Sequence, residues 1–453
     1  MFKKLNGGWE EIWKGVLSVH PARPSFFPSF LSPLFYLSKS IHTPRFVNIF
    51  LLALLIFSVY ECGKLLSTPE VGFYSAIFLL SFPGIAAFSK LFYMEFPLTC
   101  FLVTSFFFLI SSRNLRKRSQ TTLFSLFYGL CAITKVTFVF FSGWLLPWCW
   151  KLVKRRKIKR LIYPFSVFLL IVVPLFLPKF MSIASWVSKS WGDVGVWYVK
   201  GEYWKNISSY TWVFKFLKDN MSVLSFSLFF LTIFLLPFKM KAIDFKSKML
   251  IFTILFSYLS LTILPIKTWR MSIPLLPFIS LWTVHFLHKF FKDWREFRIV
   301  LLFLFILSLN EWVNPSLLPH GVYDGKGVFN TQQIEWLVSM IEDGKKVGIF
   351  DLQLIPTFSF FVEKNERKIE VFSAYEEGLG KTVERADYLI LSPGWQESAS
   401  SKNLLEKAEE LVSSLRKGLL DFRLKEKFSI PTGTVEVYVR KTGFQKMGLV
   451  RSE

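Results

Sequence analysis

The sequence predicts an all-α polytopic membrane domain of about ten transmembrane helices, followed by a small soluble α/β domain. Three observations predict it. Hydrophobic residues make up 52% of the 453-residue chain, and phenylalanine alone supplies 53 positions. Runs such as "FVNIFLLALLIFSVY" and "LIYPFSVFLLIVVPLFLP" approach or reach the roughly 20 residues that cross a bilayer. After residue 313 the composition shifts sharply toward charged residues in alternating strand-like and helix-like patterns.

Taken in order, the expected spans lie near 46–66, 71–88, 91–110, 121–134, 136–150, 161–178, 221–238, 249–266, 271–288 and 299–312. Between them lie four short basic loops: "RNLRKRSQ", "KLVKRRKIKR", "KMKAIDFKSK" and "HKFFKDWREFR". This is the positive-inside pattern, and it places those loops in the cytoplasm. It also accounts for the net charge of +23 without a nucleic-acid partner. Arg155 and Arg156 are the residual candidates for contact with anionic lipid. The turn at Lys135, the segment 179–220, the turn "PIKTWR" and the carboxy-terminal domain then face outward. The organisation expected is an extracytoplasmic or interfacial segment 1–45, a transmembrane domain 46–312 and an extracytoplasmic α/β domain 313–453. The location expected is the plasma (inner) membrane.

Within the last domain, "KVGIF", "KIEVF", "DYLILS" and "TVEVYVR" read as strands. "TQQIEWLVSMIEDG" and "KNLLEKAEELVSSLRKG" read as amphipathic helices. "DGKG" lacks the strand–loop–helix context of a nucleotide fingerprint, so no cofactor is expected. Cys62, Cys100, Cys131 and Cys149 sit in apolar segments without metal-ligand spacing, which points to packing and to no metal site. "NISS" at Asn206 matters only in a eukaryotic secretory setting.

Four stretches carry chemistry. In "KLFYMEFPLTCF", Glu95 places a carboxylate inside an apolar segment, a cost of roughly 2.5–3.5 kcal/mol on insertion scales. It reads either as an interfacial or structural ion pair with Lys90, or as part of a polar outward cavity. In "GLCAITKVTFVFF", Lys135 interrupts two apolar runs. It either snorkels to headgroups or offers its ammonium to a lipid-linked phosphate. In "LPIKTWRMSIPLLPFISL", Lys267 and Arg270 occupy a tight outer turn, where a planar guanidinium suits paired phosphate oxygens. In "WEEIWKGVLSVHPARPSFFPSF", Glu10 and Glu11 are candidate bases and His20 and Arg23 candidate phosphate contacts. The blander reading there is a surface helix anchored by Trp9 and Trp13.

Together these stretches resemble the GT-C superfamily of integral-membrane glycosyltransferases, in the branch of the protein-mannosyltransferase and aminoarabinose-transferase relatives. The order of "HPARPSFFPSFLSPLF", "SFPGIAAFSKLFYMEFPLTCFLV", "GLCAITKVTFVFF" and "IKTWRMSIPLLPFISL" matches the family's order over most of residues 20–290. The resemblance implies inverting transfer of a sugar from a polyprenyl-phosphate donor to a lipid, glycan or protein acceptor on the extracytoplasmic face. It also implies an acid at Glu95 and phosphate contacts at Lys135 and Arg270. His20, Pro21, Arg23 and Pro24 match the basic-proline segment of the first outer loop. One departure stands out. The family places an acid directly after its first helix, and no apolar segment precedes residue 45 here. Either "FFPSFLSPLFYL" is itself a short span, though its two internal prolines argue for a re-entrant or interfacial piece, or the reading frame begins late and the first transmembrane helix is missing; the second is the preferred expectation. The base is then lost with that start, or its role is filled differently with only Glu10 and Glu11 available, or the chain is inactive as written. Two other classes compete: a transporter or flippase of lipid-linked sugar, which internal repeats would favour, and a non-catalytic membrane scaffold.

Overall fold

Proline and glycine placement decides how the apolar segments lie against one another. The computed structural model describes residues 43–90, 93–181, 184, 208–239, 244–263, 269–291, 294–313, 331–350, 354–373, 379–392, 402–430 and 433–441, and elements are numbered over these. The chain divides into two compact units with the main boundary between 322 and 323.

The first unit is helical. Helix α1 (Thr43–Leu66) turns at Ser67 into α2 (Pro69–Leu80), which has Pro69 in its first turn and a cap in which the Val71 amide donates to Thr68 Oγ1 at 3.3 Å. The two helices touch at glycines. A Cβ on Gly63 would lie 2.6 Å from Gly72 Cα, so only hydrogen fits there. The expected span 71–88 is not one rod. α2 stops at Ser81, α3 (Pro83–Lys90) restarts at a proline, and the pair is bent by 70°. Proline disfavours helix at the residue before it, which accounts for the break.

α4 (Glu95–Ser111) and α5 (Arg118–Thr134) follow. Their connection holds Arg113, Asn114 and Leu115 in succession at φ near 53°, 61° and 58°. The expected span 136–150 is also interrupted: a 3-10 turn at Val136–Phe141 precedes α6 (Leu145–Lys154). At 1.5 Å per residue neither piece crosses a bilayer alone. Next come α7 (Ile162–Phe176), α8 (Ser208–Met221), α9 (Val223–Lys239) and α10 (Phe245–Ile263). A 3-10 turn at Trp269–Leu275 then leads into α11 (Leu276–Phe290), and α12 (Trp294–Val313) closes the unit. α8 lies within the stretch read as a long outward connection.

All of the expected spans coincide with helical structure. Among the described residues four helices are long and apolar enough to cross a membrane, or up to five with the bent pair counted as one. α4 and α9 are shorter apolar helices. Burial sorts their places. The stretch Arg270–Phe290 is 89% buried, so α11 is the helix around which the others pack. Ile158–Phe176 is 6% buried and turns Phe165, Leu170 and Val173 outward, as a lipid-facing helix does. Buried hydroxyls cross-link the bundle: Ser58 to Thr104 at 2.8 Å, Ser280 to the Ser75 carbonyl at 2.6 Å, and Trp282 Nε1 to Thr232 at 3.1 Å. At the start of α10, Asp244 accepts from the Ser247 amide at 2.8 Å, and the Ser247 hydroxyl meets His285 Nε2 at 2.7 Å. The four cysteines are free thiols, three of them buried.

The second unit contains α13 (Thr331–Ser339), β1 (Lys346–Ile349), α14 (Leu354–Lys364), β2 (Glu370–Ser373), α15 (Leu379–Arg385), β3 (Tyr388–Leu391), α16 (Lys402–Arg416), β4 (Phe422–Ile430) and β5 (Gly433–Arg440). The sheet order is β2-β1-β3-β5-β4. β1 pairs in parallel with β2 and β3, while β5 pairs antiparallel with β3 and β4. Phe350, Phe372, Leu389, Val412, Phe422 and Tyr438 are among the residues of a core between sheet and helices. The expected strands are β1, β2, β3 and β5; β4 was not expected. It is an edge strand in which Glu426 interrupts the apolar alternation of Phe422, Leu424 and Phe428, and its exposed Arg423, Lys425 and Lys427 deter pairing with another chain.

Candidate active site

Glu95 owes its place to the chain just before it. The bend between α2 and α3 and the turn at Tyr93–Met94 start α4 with Glu95 in its first turn. There the carboxylate faces the positive end of the helix dipole, worth roughly 0.3–1 kcal/mol. Its own carbonyl accepts from Thr99 Oγ1 at 2.6 Å. The residue is 3% exposed, and a buried carboxylate needs partners.

It has two. Lys135 Nζ donates to Glu95 Oε1 at 2.6 Å, and Arg270 Nε lies 3.2 Å from the same oxygen. Lys135 arrives from the end of α5, where the backbone turns extended (φ −159°, ψ 128°) before the 3-10 turn. Arg270 arrives from the 3-10 turn ahead of α11. Its guanidinium also lies over the Tyr93 ring, 5.3 Å from the centroid, and Tyr93 in turn leans on Phe88. Both cations keep part of their surface open, with side chains 24% and 36% exposed. The arrangement is therefore an inner carboxylate carrying two outer cations.

The turn bearing Arg270 is itself tied down. Asn220, at the end of α8, donates through Nδ2 to Ser272 Oγ at 2.9 Å and to the Phe216 carbonyl at 2.9 Å. Both Asn220 and Ser272 are fully buried. Sequence reasoning missed this pair. Asn220 sits at the edge of an apolar run within a presumed outer connection, and its chemistry gives no signal until Ser272 is beside it. Tyr93 was missed too, although its position two residues before Glu95 was a visible sign.

Three of the expected site residues, Glu95, Lys135 and Arg270, thus meet at one carboxylate oxygen. Lys90, the expected structural partner of Glu95, donates to the Trp312 carbonyl. Its place at the end of α3 puts it beside α12, and Trp312 Nε1 bonds back to the Leu80 carbonyl at 2.9 Å. Lys267, Glu10, Glu11, His20 and Arg23 lie outside the described residues. Among the described residues no group of three or more His, Cys, Asp or Glu side chains could hold a metal ion.

Compared with family models and with curated proteins, the sequence matches none. Solved structures do match. ArnT from Cupriavidus metallidurans in the apo state superposes with a TM-score of 0.59 at 12% identity, covering 94% of this chain and 89% of that one. ArnT from the same organism bound to undecaprenyl phosphate gives 0.61 at 10% identity, covering 92% and 88%. The chain shares the fold of these ArnT structures. That fold combines here, as expected, a polytopic helical unit with a small mixed-sheet α/β unit. It fixes the architecture; at such identity the chemistry rests on the residues themselves.

Proposed function

We propose that the protein is a membrane glycosyltransferase that moves a sugar from a polyprenyl-phosphate donor to an acceptor, with inversion, on the extracytoplasmic face. The single observation that carries this reading is the Glu95–Lys135–Arg270 cluster. Two cations, each held by a buried carboxylate and each partly open, make a receptor for a phosphate group. The GT-C fold supports it, and one ArnT structure of that fold is bound to undecaprenyl phosphate.

In the reaction, an acceptor hydroxyl or amine attacks the anomeric carbon while the bond to the phosphate oxygen breaks. Negative charge grows on the departing polyprenyl phosphate. Lys135 and Arg270 stabilise it there, from positions set before the substrate arrives. Glu95 acts as the holder of the two cations. A carboxylate already committed to two charged donors is poorly placed to take the acceptor's proton. That proton passes to another base, for which Glu10 and Glu11 remain the candidates.

The experiment uses the full chain in nanodiscs with a polyprenyl-phosphate-linked sugar and a membrane acceptor fraction, following the release of polyprenyl phosphate. Losing one preorganised donor to developing charge costs about 100-fold in rate. Arg270→Ala and Lys135→Ala are each expected to show that loss with normal protein levels. Unchanged rates in both would remove the site. A donor that crosses the bilayer chemically unaltered would point to transport instead.

A further inference from the structure

In the α/β unit several charged side chains pair off. Arg367 binds Asp343 at 2.8 Å, Lys346 lies 3.7 Å from Glu370, and Arg385 also bonds Glu370. One place gathers more cations than acids. Beside the β4–β5 hairpin and the end of α16 lies an open groove of about 750 Å³. Arg416, Arg423, Lys427 and Lys441 line it, against a single acid, Glu436. The formal charge of the lining is therefore strongly positive on a concave surface, where a field is focused rather than dispersed.

The acid is spent on organising the cations. Glu436 is buried, 6% exposed. Its Oε2 accepts from Arg416 Nε at 3.0 Å and from the Tyr438 hydroxyl at 2.9 Å, and Lys427 Nζ lies 3.5 Å from Oε1. Strand alternation puts Glu436 and Tyr438 on one face of β5, and the register sets Lys427 opposite Glu436. Glu436 takes only the Nε–H of Arg416 in that bond, and a guanidinium has five N–H donors in a fixed plane. Arg423 is exposed and has no ion-pair partner among the described residues. The Lys441 ammonium reaches only a long 3.5 Å contact to the Leu420 carbonyl.

We propose that this groove is a binding site for a phosphate group, borne either by a soluble phosphorylated sugar or by the headgroup of an anionic lipid. Arg416 and Lys427, fixed by Glu436, form its rigid side. Lys441 closes on the anion from the other, with Arg423 at the edge of the groove adding to its positive field. The site is separate from the Glu95 cluster, and its existence does not depend on the reaction proposed above.

The test uses the full chain in phosphatidylcholine nanodiscs, titrated calorimetrically with inorganic phosphate, glucose 1-phosphate and neutral glucose. Saturable binding of both phosphates and none of glucose is expected. The double variant Arg423→Ser/Lys441→Ser changes side chains outside the packed core, so it keeps the fold; it is expected to weaken binding at least tenfold. Arg270→Ala is expected to leave this binding intact. Repeating the titration with about a third phosphatidylglycerol in the disc separates the sources. Competition by the lipid assigns the headgroup, and unchanged binding assigns the soluble ester. Absence of saturable phosphate binding, or binding equal in the double variant and the parent, overturns the proposal. Loss of binding in Arg270→Ala alone overturns it as well, while leaving the transferase reading intact.

Discussion

Glu95→Gln is the most informative single change, because it removes one charge from beneath two. The contacts lie at 2.6 and 3.2 Å. With an effective dielectric of about 20, each carries roughly 5–6 kcal/mol of gross Coulomb attraction. Desolvation consumes much of that, and breaking a buried ion pair by removing one partner costs about 3–5 kcal/mol. The side chains of Lys135 and Arg270 are 24% and 36% exposed, so water recovers part of the loss. We expect Glu95→Gln to cost about 3 kcal/mol, and Arg270→Gln, on the open side, about 1–2 kcal/mol. In the double variant the two losses overlap. Once the carboxylate is gone, Arg270 has nothing to neutralise and only crowds Lys135. The double variant is therefore expected to fall short of the sum by about 1 kcal/mol. Reversible unfolding in mixed micelles, run as a double-mutant cycle, measures this directly. Additivity within about 0.5 kcal/mol would refute the claim that the three side chains act as one unit.

Three further expectations follow from the packing. Asn220→Ala removes the strut behind Ser272; donor KM is expected to rise several-fold, with a stability loss of about 1–3 kcal/mol, while Asn220→Asp, which alters the donor, should not restore the wild-type KM. Gly63→Leu forces apart the backbones of α1 and α2, so thermal inactivation in detergent should shift down by several degrees, an overpacking cost of about 1–3 kcal/mol. In the α/β unit, burial opposes ionisation of Glu436, yet the hydrogen bonds from Arg416 and Tyr438 and the charge of Lys427 outweigh it and hold its carboxyl below the usual glutamate range. Its stabilisation is then fully present above the ordinary glutamate value of about 4.3 and lost as pH falls through the depressed one. Hydrogen exchange across β5 should accelerate only below that range, and Glu436→Gln should remove this pH dependence.

Much of the fold was legible because bilayer burial writes itself into long apolar runs. The polar-to-apolar alternation of "TVEVYVR" similarly announced β5. β4 was not legible, because Glu426 falls on the apolar phase of the alternation and joins Lys425 and Lys427 into one charged run. The two broken spans failed for another reason: mean apolarity does not register where a helix stops. Pro83 lies inside the apolar run, and the stop it imposes on α2 leaves the mean apolarity unchanged. Of the site, Glu95, Lys135 and Arg270 were each conspicuous as charges beside apolar sequence. That Lys135 and Arg270, and not Lys90, would reach Glu95 depended on the direction of three helix ends. Asn220 and Ser272 gave no warning, since a buried amide–hydroxyl pair has meaning only across distant segments.

The Glu95 cluster also has an order of assembly. Glu95 and Lys135 are 40 residues apart in the chain and bracket one helical hairpin, so the growing polypeptide delivers both charges to the lipid together. Arg270 is synthesised long afterwards, behind several more membrane-embedded helices. During biogenesis the carboxylate is thus escorted into hydrocarbon by the ammonium alone, and the guanidinium arrives as a late lock. A chain stopped between those two events would carry the hairpin but only one of the two cations, which makes the arrival of Arg270 the moment at which the proposed phosphate receptor is complete.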